Sequence, residues 1–455
     1  MDTKKLRQKI LDLAIRGKLV PQDPNDEPAS VLLERIRAEK EQLIKEGKIK
    51  RSKKSEFSDK PHYENYELPS GWKYYLITNI CSKIVDGDHN PPVAQKQISP
   101  YIMLSSKNIN EDVITNLNDV RYLSKADFDI SNNRTKVTKG DVLFTSVGSI
   151  GRTCIYDLVV PVAFQRSVTV MTTYIYNRYF KLFLDSPLYQ NYVFENARGT
   201  AQKGFYINQI ENSLIPIPPY NEQIKIVEIT EKLLFFVKKI EEERNNIIEN
   251  IYRIKSEILD LAISGKLVPQ NSADEPAIEL LRKINPAFKP CDNSHYEKLP
   301  ASWQEIEMGE ICKLCDGDKI SDKPMTYIDV KYLRCAKEGE IVSNGKFISK
   351  NSTLILVDGE NSGEVFTTPI DGYQGSTFKI LNISEYLCKD YVLLLIKRCQ
   401  KLLRENKVGS AIPHLNKKMF KELVVPIPPL SEQKKIVRTV NDIFLKIENI
   451  TAELL

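Results

Sequence analysis

Three short motifs hold side chains of the types that catalyse reactions or bind metals. Residues 89–93 read HNPPV, which begins like the Asn-Pro-Pro-Tyr sequence needed to methylate a flipped adenine. Val93 stands where an aromatic ring would stack on that base, and no glycine-rich loop for a cofactor accompanies the motif. The HNPPV segment therefore indicates a turn rather than a methyl-transfer site.

Cys312 and Cys315 have the spacing of a metal or redox pair. A structural zinc site uses four Cys or His ligands. The chain has only four histidines and no second cysteine pair at zinc spacing, and the matching segment nearer the N-terminus has only Cys81. Structural cysteines are favoured, and we expect no metal and no cofactor.

An Asp-Gly-Asp triplet occurs twice, at 86–88 and 316–318. Two carboxylates this close could bind a cation, but a glycine between them suits a tight turn at least as well. No nuclease-type cluster of carboxylates and lysine is visible, and no glycine loop is followed by a nucleotide-binding lysine. None of these motifs therefore indicates a catalytic centre by itself, and the triplets stay open between turn and ligand contact.

The triplets belong to an internal repeat that sets the organisation of the chain. ILDLAIRGKLVPQ at 10–22 returns as ILDLAISGKLVPQ at 258–270, and each copy is followed by DEPA, at 26–29 and 274–277. PSGW at 69–72 matches PASW at 300–303, and PIPPYNEQIKIV at 216–227 matches PIPPLSEQKKIV at 426–437. The repeat predicts two modules with the same frame.

A heptad pattern follows each PIPP motif and predicts a coiled coil. In the central helix, expected at 221–264, and in the C-terminal helix, the seam consists of Ile226, Leu233, Ile240, Ile247, Ile254, Leu261, Ile436, Ile443 and Ile450. The C-terminal copy stops at Leu455, and the repeat offset lets Leu6, Ile10 and Leu13 continue its seam. We therefore expect a second helix, split between the chain ends and antiparallel to the central one, in a pseudo-twofold, circularly permuted repeat.

The expected fold class is α/β (α+β), with two globular mixed modules separated by the coiled coil. Short strands are predicted at 141–146, 167–172, 353–357 and 378–382, and amphipathic helices at 31–45 and 278–284. The predicted domains are 1–60 (helical segment and basic linker), 61–219 (first module), 220–293 (central helical region), 294–429 (second module) and 430–455 (C-terminal helix).

Composition narrows the class of protein and its compartment. Of the 455 residues, 42% are hydrophobic, enough for several cores. The N-terminal segment is interrupted by charges, unlike a signal peptide, and no apolar run is long enough to span a bilayer. Eight scattered cysteines fit a reducing compartment, so we expect a cytoplasmic protein. The net charge of +5 permits nucleic-acid binding but does not demand it.

Over essentially its whole length, the chain resembles the specificity subunits of type I restriction-modification enzymes. The resemblance rests on the two P-I-P-P-x-x-E-Q motifs, each opening a heptad helix, and on P-x-x-W and I-C segments that lead to D-G-D. It implies a noncatalytic subunit whose two recognition domains each read one half of a bipartite, asymmetric site in double-stranded DNA. It also implies that the subunit recruits two methyltransferase subunits and then restriction-translocase subunits.

The candidate DNA contacts are polar side chains in module loops, where Arg, Lys, Asn and Gln suit base edges and Ser, Thr and Lys suit phosphates. In the first module they are Lys107, Asn108, Arg134, Lys136, Ser146, Ser149, Arg152, Arg166, Lys203, Tyr206 and Asn208. In the second they are Lys319, Lys323, Arg334, Asn361, Ser362, Gln374, His414, Asn416 and Lys417. Two alternatives stay open: a protein-only coiled-coil adaptor and a self-contained DNA-modifying enzyme.

Overall fold

The computed structural model describes residues 2–49, 67–110, 112–199, 203–290, 295–296, 298–408 and 413–454. It divides into two compact units, Met1–Glu243 and Arg244–Leu455. Each unit contains one module together with helical segments. The basic linker predicted within 47–60 lies mostly outside the described residues, and the five-part division of the chain stays a prediction.

Unit 1 begins with two helices, continues through short strands and ends in the first half of a long helix. Its elements are α1 (Thr3–Ile15), α2 (Ala29–Lys45), β1 (Lys73–Leu76), α3 (Ile77–Ile80), β2 (Cys81–Asp86), β3 (Ile102–Leu104), a 3₁₀ turn (Ser106–Asn108), β4 (Ile109–Asn110), β5 (Val113–Ile114), β6 (Arg121–Tyr122), α4 (Lys125–Thr135), β7 (Val142–Thr145), β8 (Thr153–Ile155), β9 (Val162–Phe164), β10 (Val168–Thr173), α5 (Asn177–Asp185), α6 (Pro187–Asn196), α7 (Ile207–Glu211), β11 (Leu214–Ile217) and α8 (Tyr220–Ile263).

Unit 2 begins in the second half of α8 and repeats much of this order. Its further elements are α9 (Ala277–Ile284), β12 (Gln304–Glu307), α10 (Met308–Ile311), β13 (Cys312–Cys315), β14 (Lys319–Ile320), β15 (Met325–Ile328), α11 (Val330–Leu333), β16 (Glu340–Val342), β17 (Gly345–Ile348), β18 (Thr353–Leu356), β19 (Val365–Thr367), β20 (Gly372–Gln374), β21 (Phe378–Ile383), α12 (Lys389–Glu405), α13 (Lys417–Glu422), β22 (Val424–Ile427) and α14 (Leu430–Leu454).

The sheets of the two units share much of their topology, although the sheet with the parallel pair has three strands in unit 1 (β6-β3-β9) and five in unit 2 (β14-β17-β20-β15-β16). Unit 1 has a four-stranded antiparallel sheet in the order β2-β10-β7-β8, and unit 2 has β13-β21-β18-β19. Each unit also has a sheet with one parallel pair, β3 with β9 and β15 with β20, and a two-stranded ribbon, β1 with β11 and β12 with β22. The predicted strands correspond to β7, β10, β18 and β21, and the repeat predicted from short motifs is confirmed at the level of the fold.

Main-chain hydrogen bonds show that the two modules also correspond in the turns after β9 and β20, where their sequences differ. Gln165 N donates to Leu104 O in unit 1, and Gly375 N donates to Ile328 O in unit 2, each at 2.9 Å. One position further, the side chains differ completely, because Arg166 in unit 1 corresponds to Ser376 in unit 2. The frame is therefore common to both modules, while the residues that it displays are not.

Within each unit a shorter helix runs antiparallel to part of the long helix α8. In unit 1, Gln22, which follows α1, lies 3.0 Å from Glu222, and Arg7 of α1 lies 3.8 Å from Glu241. The helices α1 and α8 therefore run in opposite directions. In unit 2, Gln270 lies 2.7 Å from Glu432 and Lys255 lies 2.9 Å from Glu448, which sets α14 against the second half of α8. The predicted antiparallel pairing is confirmed within each unit.

The predicted seam needs a correction along α8. Ile226 and Ile436 are fully buried and Leu233, Ile247 and Ile443 are half-buried, but Ile240, Ile254, Leu261 and Ile450 are between 41 and 56% exposed. A second row with the same seven-residue spacing, Thr230, Val237 and Ile258, is buried, as is Ala262. The heptad spacing is therefore kept, but the buried face follows this second row rather than the row from Ile240 to Leu261.

The repetition of the short motifs is explained by one hydrogen-bonded node in each unit. In unit 1, a buried Glu222 at the start of α8 accepts from the indole of Trp72 and from Gln22, both at 3.0 Å. The next residue, Gln223, accepts from Tyr176 N at 3.0 Å and donates to Pro218 O at 3.0 Å. The PIPP, P-x-x-W and GKLVPQ motifs thus meet at one point.

Unit 2 repeats the node contact for contact. Glu432 accepts from Trp303 at 3.0 Å and from Gln270 at 2.7 Å, and Gln433 accepts from Cys388 N at 2.8 Å. Burial raises the pKa of the Glu432 carboxyl, against the opposing effect of its two hydrogen-bond donors. Both acids lie in the first turn of a long helix, where the helix dipole favours a negative charge.

Candidate nucleic-acid interface

Four loop segments of unit 1 converge at one end of its four-stranded sheet. The turn after β7 joins the segment before α7 through a hydrogen bond of 2.8 Å from Phe205 N to Ser146 O. The first Asp-Gly-Asp turn joins the turn between β9 and β10, because Arg166 N donates to Asp88 O at 2.9 Å. These loops enclose a cleft of about 230 Å³ whose lining includes Ser146, Arg166 and Tyr206, all three predicted as DNA contacts.

The charges beside this cleft are arranged around Asp86. One of its carboxylate oxygens accepts from the guanidinium of Arg134, and the other lies 2.6 Å from the ring Nε2 of His89. Arg166 is exposed, and its guanidinium has no hydrogen-bond or ion-pair partner among the described residues. The negative charge of Asp86 is thus balanced by Arg134, and the positive charge of Arg166 in the cleft has no counter-charge among the described residues.

The glycine of each Asp-Gly-Asp triplet is required by a close approach of main chain. A Cβ at Gly87 would lie 2.2 Å from Phe164 O, and a Cβ at Gly317 would lie 1.9 Å from Phe347 O. Any side chain would push these strands apart, since real Cβ atoms do not approach a carbonyl oxygen so closely. The triplets are therefore tight main-chain crossings, which agrees with the turn interpretation.

The second triplet is locked by lysines rather than open to a cation. Asp316 lies 2.6 Å from Lys379 and 3.1 Å from Lys346, and Gln374 donates to it at 2.9 Å. The hydrogen bond from Lys379, with help from Lys346 and Gln374, lowers the pKa of Asp316 to about 2. Within the described part of the chain, no group of three or more His, Cys, Asp or Glu side chains is arranged to hold a metal ion.

Unit 2 brings the equivalent loops together with different side chains. Leu415 N donates to Val357 O at 2.7 Å, and the ring of His414 lies 2.7 Å from a carboxylate oxygen of Asp358. Asn416 caps α13 by accepting from Met419 N at 3.0 Å. The structure thus gathers predicted contact residues from the turn after β18, Asn361 and Ser362, and from the start of α13, His414, Asn416 and Lys417.

Four of the predicted contact residues are buried, so these predictions need correction. Asn108 is 1% exposed and bonds to Thr115 O and to Ser105 N, which closes a turn. Gln374 is 6% exposed; its amide donates to Asp316 and to Phe378 O and accepts from Gly317 N. Ser146 and Ser362 are 3% and 0% exposed. Asn108, Gln374 and Ser146 hold their loops through hydrogen bonds, and none of the four side chains faces solvent.

Several predicted cations already have partners within their own unit. Lys107 lies 2.7 Å from Asp119, Arg134 pairs with Asp86, Arg152 donates to Asn110 and Arg334 pairs with Glu364. They could reach DNA only by exchanging these acceptors.

The remaining predicted contacts lie at or near the surface without such a pairing. In unit 1 these are Lys136, Ser149, Arg166, Lys203, Tyr206 and Asn208. In unit 2, Lys319 and Lys323 lie beside β17 and its preceding turn.

Besides the apolar Val147 and Ile207, two polar cleft residues were missed as contacts from the sequence. His89 was interpreted only as part of a turn, and Thr169 lies inside β10, where its hydroxyl bonds to that of Ser146. The proximity of His89 to the D-G-D triplet in sequence was the one signal that could have marked it. Nothing in a strand sequence shows that Thr169 lines a cleft.

The cysteine pair is not arranged as a chelating pair. Cys312 and Cys315 lie on the same strand, β13, three positions apart, and side chains at that separation point to opposite faces of a sheet. Burial raises the pKa of the Cys312 thiol to about 12, so it stays protonated at neutral pH.

The fold and the two loop faces define a protein with two equivalent recognition modules on helical supports. A family model described as type I restriction modification DNA specificity domain matches residues 69–250 and 300–455. The chain belongs to this family.

Relatives with known names agree with this assignment. The chain is 28% identical to the type I restriction enzyme EcoAI specificity subunit of Escherichia coli, over 97% of this chain and 88% of that one. It is 27% identical to the EcoEI specificity subunit of the same organism, over 97% and 89%.

One solved structure shares the fold. It is described as showing the structural basis underlying complex assembly and conformational transition of the type I R-M system. The likeness has a TM-score of 0.54 at 15% identity and covers 86% of this chain and 94% of that one. Among the described residues of this chain, no helix combines the length and apolar character needed to cross a membrane.

Proposed function

We propose that this chain is the DNA sequence-recognition subunit of a type I restriction-modification complex and that each module reads one half of a bipartite, asymmetric site. The observation that carries the proposal is the pairing of one shared fold with two different loop faces. Identical loops would read the same half-site twice. The loops here differ, because the first module displays Arg166 at the position where the second displays Ser376. The family and its relatives support the same role.

The subunit is proposed to act as a scaffold without chemistry of its own. Its partners are two methyltransferase subunits and the restriction-translocase subunits, and the complex works in the cytoplasm. Exposed apolar side chains on α8, including Phe235, Phe236 and Tyr252, support a role of this helix in binding protein. Such side chains lose unfavourable contact with water when a partner covers them.

Mapping of adenine methylation in a strain with and without the gene tests the recognition role. We expect a two-part motif to be methylated only when the gene and its methyltransferase subunit are present. Methylation that does not depend on the gene would overturn the proposal. Methyl transfer by the isolated chain would favour the self-contained enzyme instead.

Binding measured over a salt series separates DNA recognition from a protein-only adaptor. Contacts to phosphates release counterions, so the affinity of the complex for a duplex should fall steeply as salt rises. A protein-only adaptor would show no duplex affinity that depends on salt or on sequence.

We also propose that α8 sets the spacing between the two half-sites. Its 44 residues span about 66 Å at 1.5 Å per residue. Deleting or adding one heptad near the division at Glu243 would change this length by about 10.5 Å, which is about three base pairs. The methylated motif should keep both half-sites and change only its spacer. An unchanged spacer would exclude the helix as the measuring element.

A further inference from the structure

The turn between β9 and β10 is held rigidly on both sides. Gln165 N donates to Leu104 O at 2.9 Å, and Val168 N donates back to Gln165 O at 3.0 Å to close the turn. Arg166 N is tied to the Asp-Gly-Asp turn through Asp88 O. Ser106 N donates to the hydroxyl of Ser167 at 3.1 Å. The main chain of Arg166 is therefore fixed while its side chain is exposed.

The neighbours of Arg166 leave its guanidinium without an acceptor. Asp86, the nearby acid of the cleft, has both carboxylate oxygens engaged by Arg134 and His89. The hydroxyl groups of Ser146 and Thr169 bond to each other on the cleft wall. A guanidinium carries five N–H donors and stays charged at neutral pH, so that of Arg166 is available to an acceptor on a ligand.

The other wall of the cleft is equally fixed. Tyr206 stands at the N-cap of α7 and is 46% exposed. Its ring lies over Gly204, where a Cβ would come within 2.7 Å of the ring carbon Cζ. Both walls of the cleft are thus held by main-chain hydrogen bonds, and a reader of a base edge needs such positioning.

On the basis of the recognition function proposed above, we infer that Arg166 reads a guanine in the half-site of the first module. Guanine offers two acceptors, N7 and O6, on its major-groove edge, and the planar fork of Arg donates to both at once. Phosphate contacts would need only the charge, whereas the hydrogen-bonded turn fixes the main chain from which the side chain projects at the cleft. The corresponding Ser376 of unit 2 cannot make the two-point contact, so the inference applies to one half-site only.

Methylation mapping of two variants tests the inference in the intact complex. Arg166→Ser places the residue of unit 2 at this position, and Arg166→Lys keeps the charge but loses the forked geometry. We expect both variants to accept other base pairs at one G·C position of one half-site, with the second half-site and the spacer unchanged. The control is Arg178→Ser, whose guanidinium is paired with Glu231 at 2.7 Å outside the cleft and should leave the motif unchanged. A motif that stays the same in both Arg166 variants would overturn the inference.

Binding to modified duplexes gives a second readout that does not depend on the variants being active. The purified wild-type complex is titrated with duplexes in which each guanine of the half-site is replaced in turn by 7-deazaguanine, which lacks the N7 acceptor. At one position we expect binding roughly 5- to 150-fold weaker, and Arg166→Ser should lose nothing further there. If the wild-type complex tolerates the replacement at every guanine, Arg166 is not a guanine reader. A wild-type complex without any sequence preference would instead contradict the proposed function itself.

Discussion

The indole nitrogen of Trp72 donates a hydrogen bond of 3.0 Å to the carboxylate of Glu222, 150 positions further along the chain. Trp303 and Glu432 repeat the bond at the same distance in the second unit. Each tryptophan lies in the segment that enters a module, and each glutamate begins the helix that leaves it. One buried contact therefore closes each module at its two ends.

We predict that Glu222→Ala destabilises unit 1 by about 2 kcal/mol or more, because the Trp72 indole and the Gln22 amide would lose their acceptor. The chain has two tryptophans, so in a Trp303→Phe background the fluorescence of Trp72 reports unit 1 during denaturant unfolding. Glu228→Ala, at an exposed position of the same helix, is the control and should change the free energy of unfolding by less than about 0.5 kcal/mol. Equal effects of the two variants would show that the node contributes nothing.

The same glutamates give a pH dependence with a definite sign. Burial raises the pKa of Glu222 above 4.5, its ordinary value, so the folded chain binds the proton more tightly than the unfolded chain. This contribution to stability is complete below pH 4.5 and is lost as the pH rises through the raised value. Glu222→Gln cannot ionise, so wild type should lose stability relative to this variant between pH 4.5 and 7. Denaturant midpoints measured at several pH values check this, and a constant difference would show that Glu222 titrates normally.

The glycines of the two triplets should tolerate no side chain. Gly87→Ala and Gly317→Ala should each destabilise their unit by about 2 kcal/mol or more, because the new methyl would meet a carbonyl oxygen of the adjoining strand. Gly71→Ala is a matched control, since its Cβ would meet Pro219 at an ordinary 3.5 Å. Thermal unfolding measures all three, and normal stability of both triplet variants would refute the close approach.

Lys181 of helix α5 lies 2.5 Å from Asp112 and thereby links α5 to the β4–β5 turn. It also lies 2.6 Å from Asp185 at the end of α5. Burial raises the pKa of Asp185, and the charge of Lys181 opposes that rise. Lys181→Met should destabilise unit 1 by about 2–3 kcal/mol at pH 7, because Asp185 would lose its counter-charge. The loss should shrink on acidification, as Asp185 takes up a proton.

Denaturant unfolding at pH 7 and pH 5 measures this effect. The control is Lys125→Met, which breaks an exposed pair with Asp129 and should have little effect at either pH. A Lys181→Met defect that does not depend on pH would show that the aliphatic stem, rather than the charge, stabilises this region.

The sequence was sufficient for the fold because its strongest signals are repeated. Two PIPP motifs, two heptad helices and a permuted N-terminal segment predicted two similar modules and the antiparallel helix pairing, and both features are present. The node itself could not be predicted, since no local sequence pattern indicates that the partners of Glu222 are Trp72 and Gln22. The seam was wrong at Leu261, because the heptad row through Thr230, Val237 and Ile258 is the one that is buried there.

Individual contact residues were harder to predict than the faces that hold them. Asn108 and Gln374 have the side chains of base readers, but both are consumed by hydrogen bonds that close their own loops. Residue type shows what a side chain can bond to, and it does not show which groups are already satisfied. Arg166 became distinct only when the structure showed that the acid beside it is engaged elsewhere.

The position of the closing glutamates also bears on the order in which the chain can fold during synthesis. Glu222 precedes every strand of unit 2, so unit 1 can close while the second module is still being translated. Glu432 follows every strand of unit 2, so unit 2 can close only after its whole module has been made. A premature stop inside the second module would therefore release a closed unit 1 joined to an incomplete unit 2.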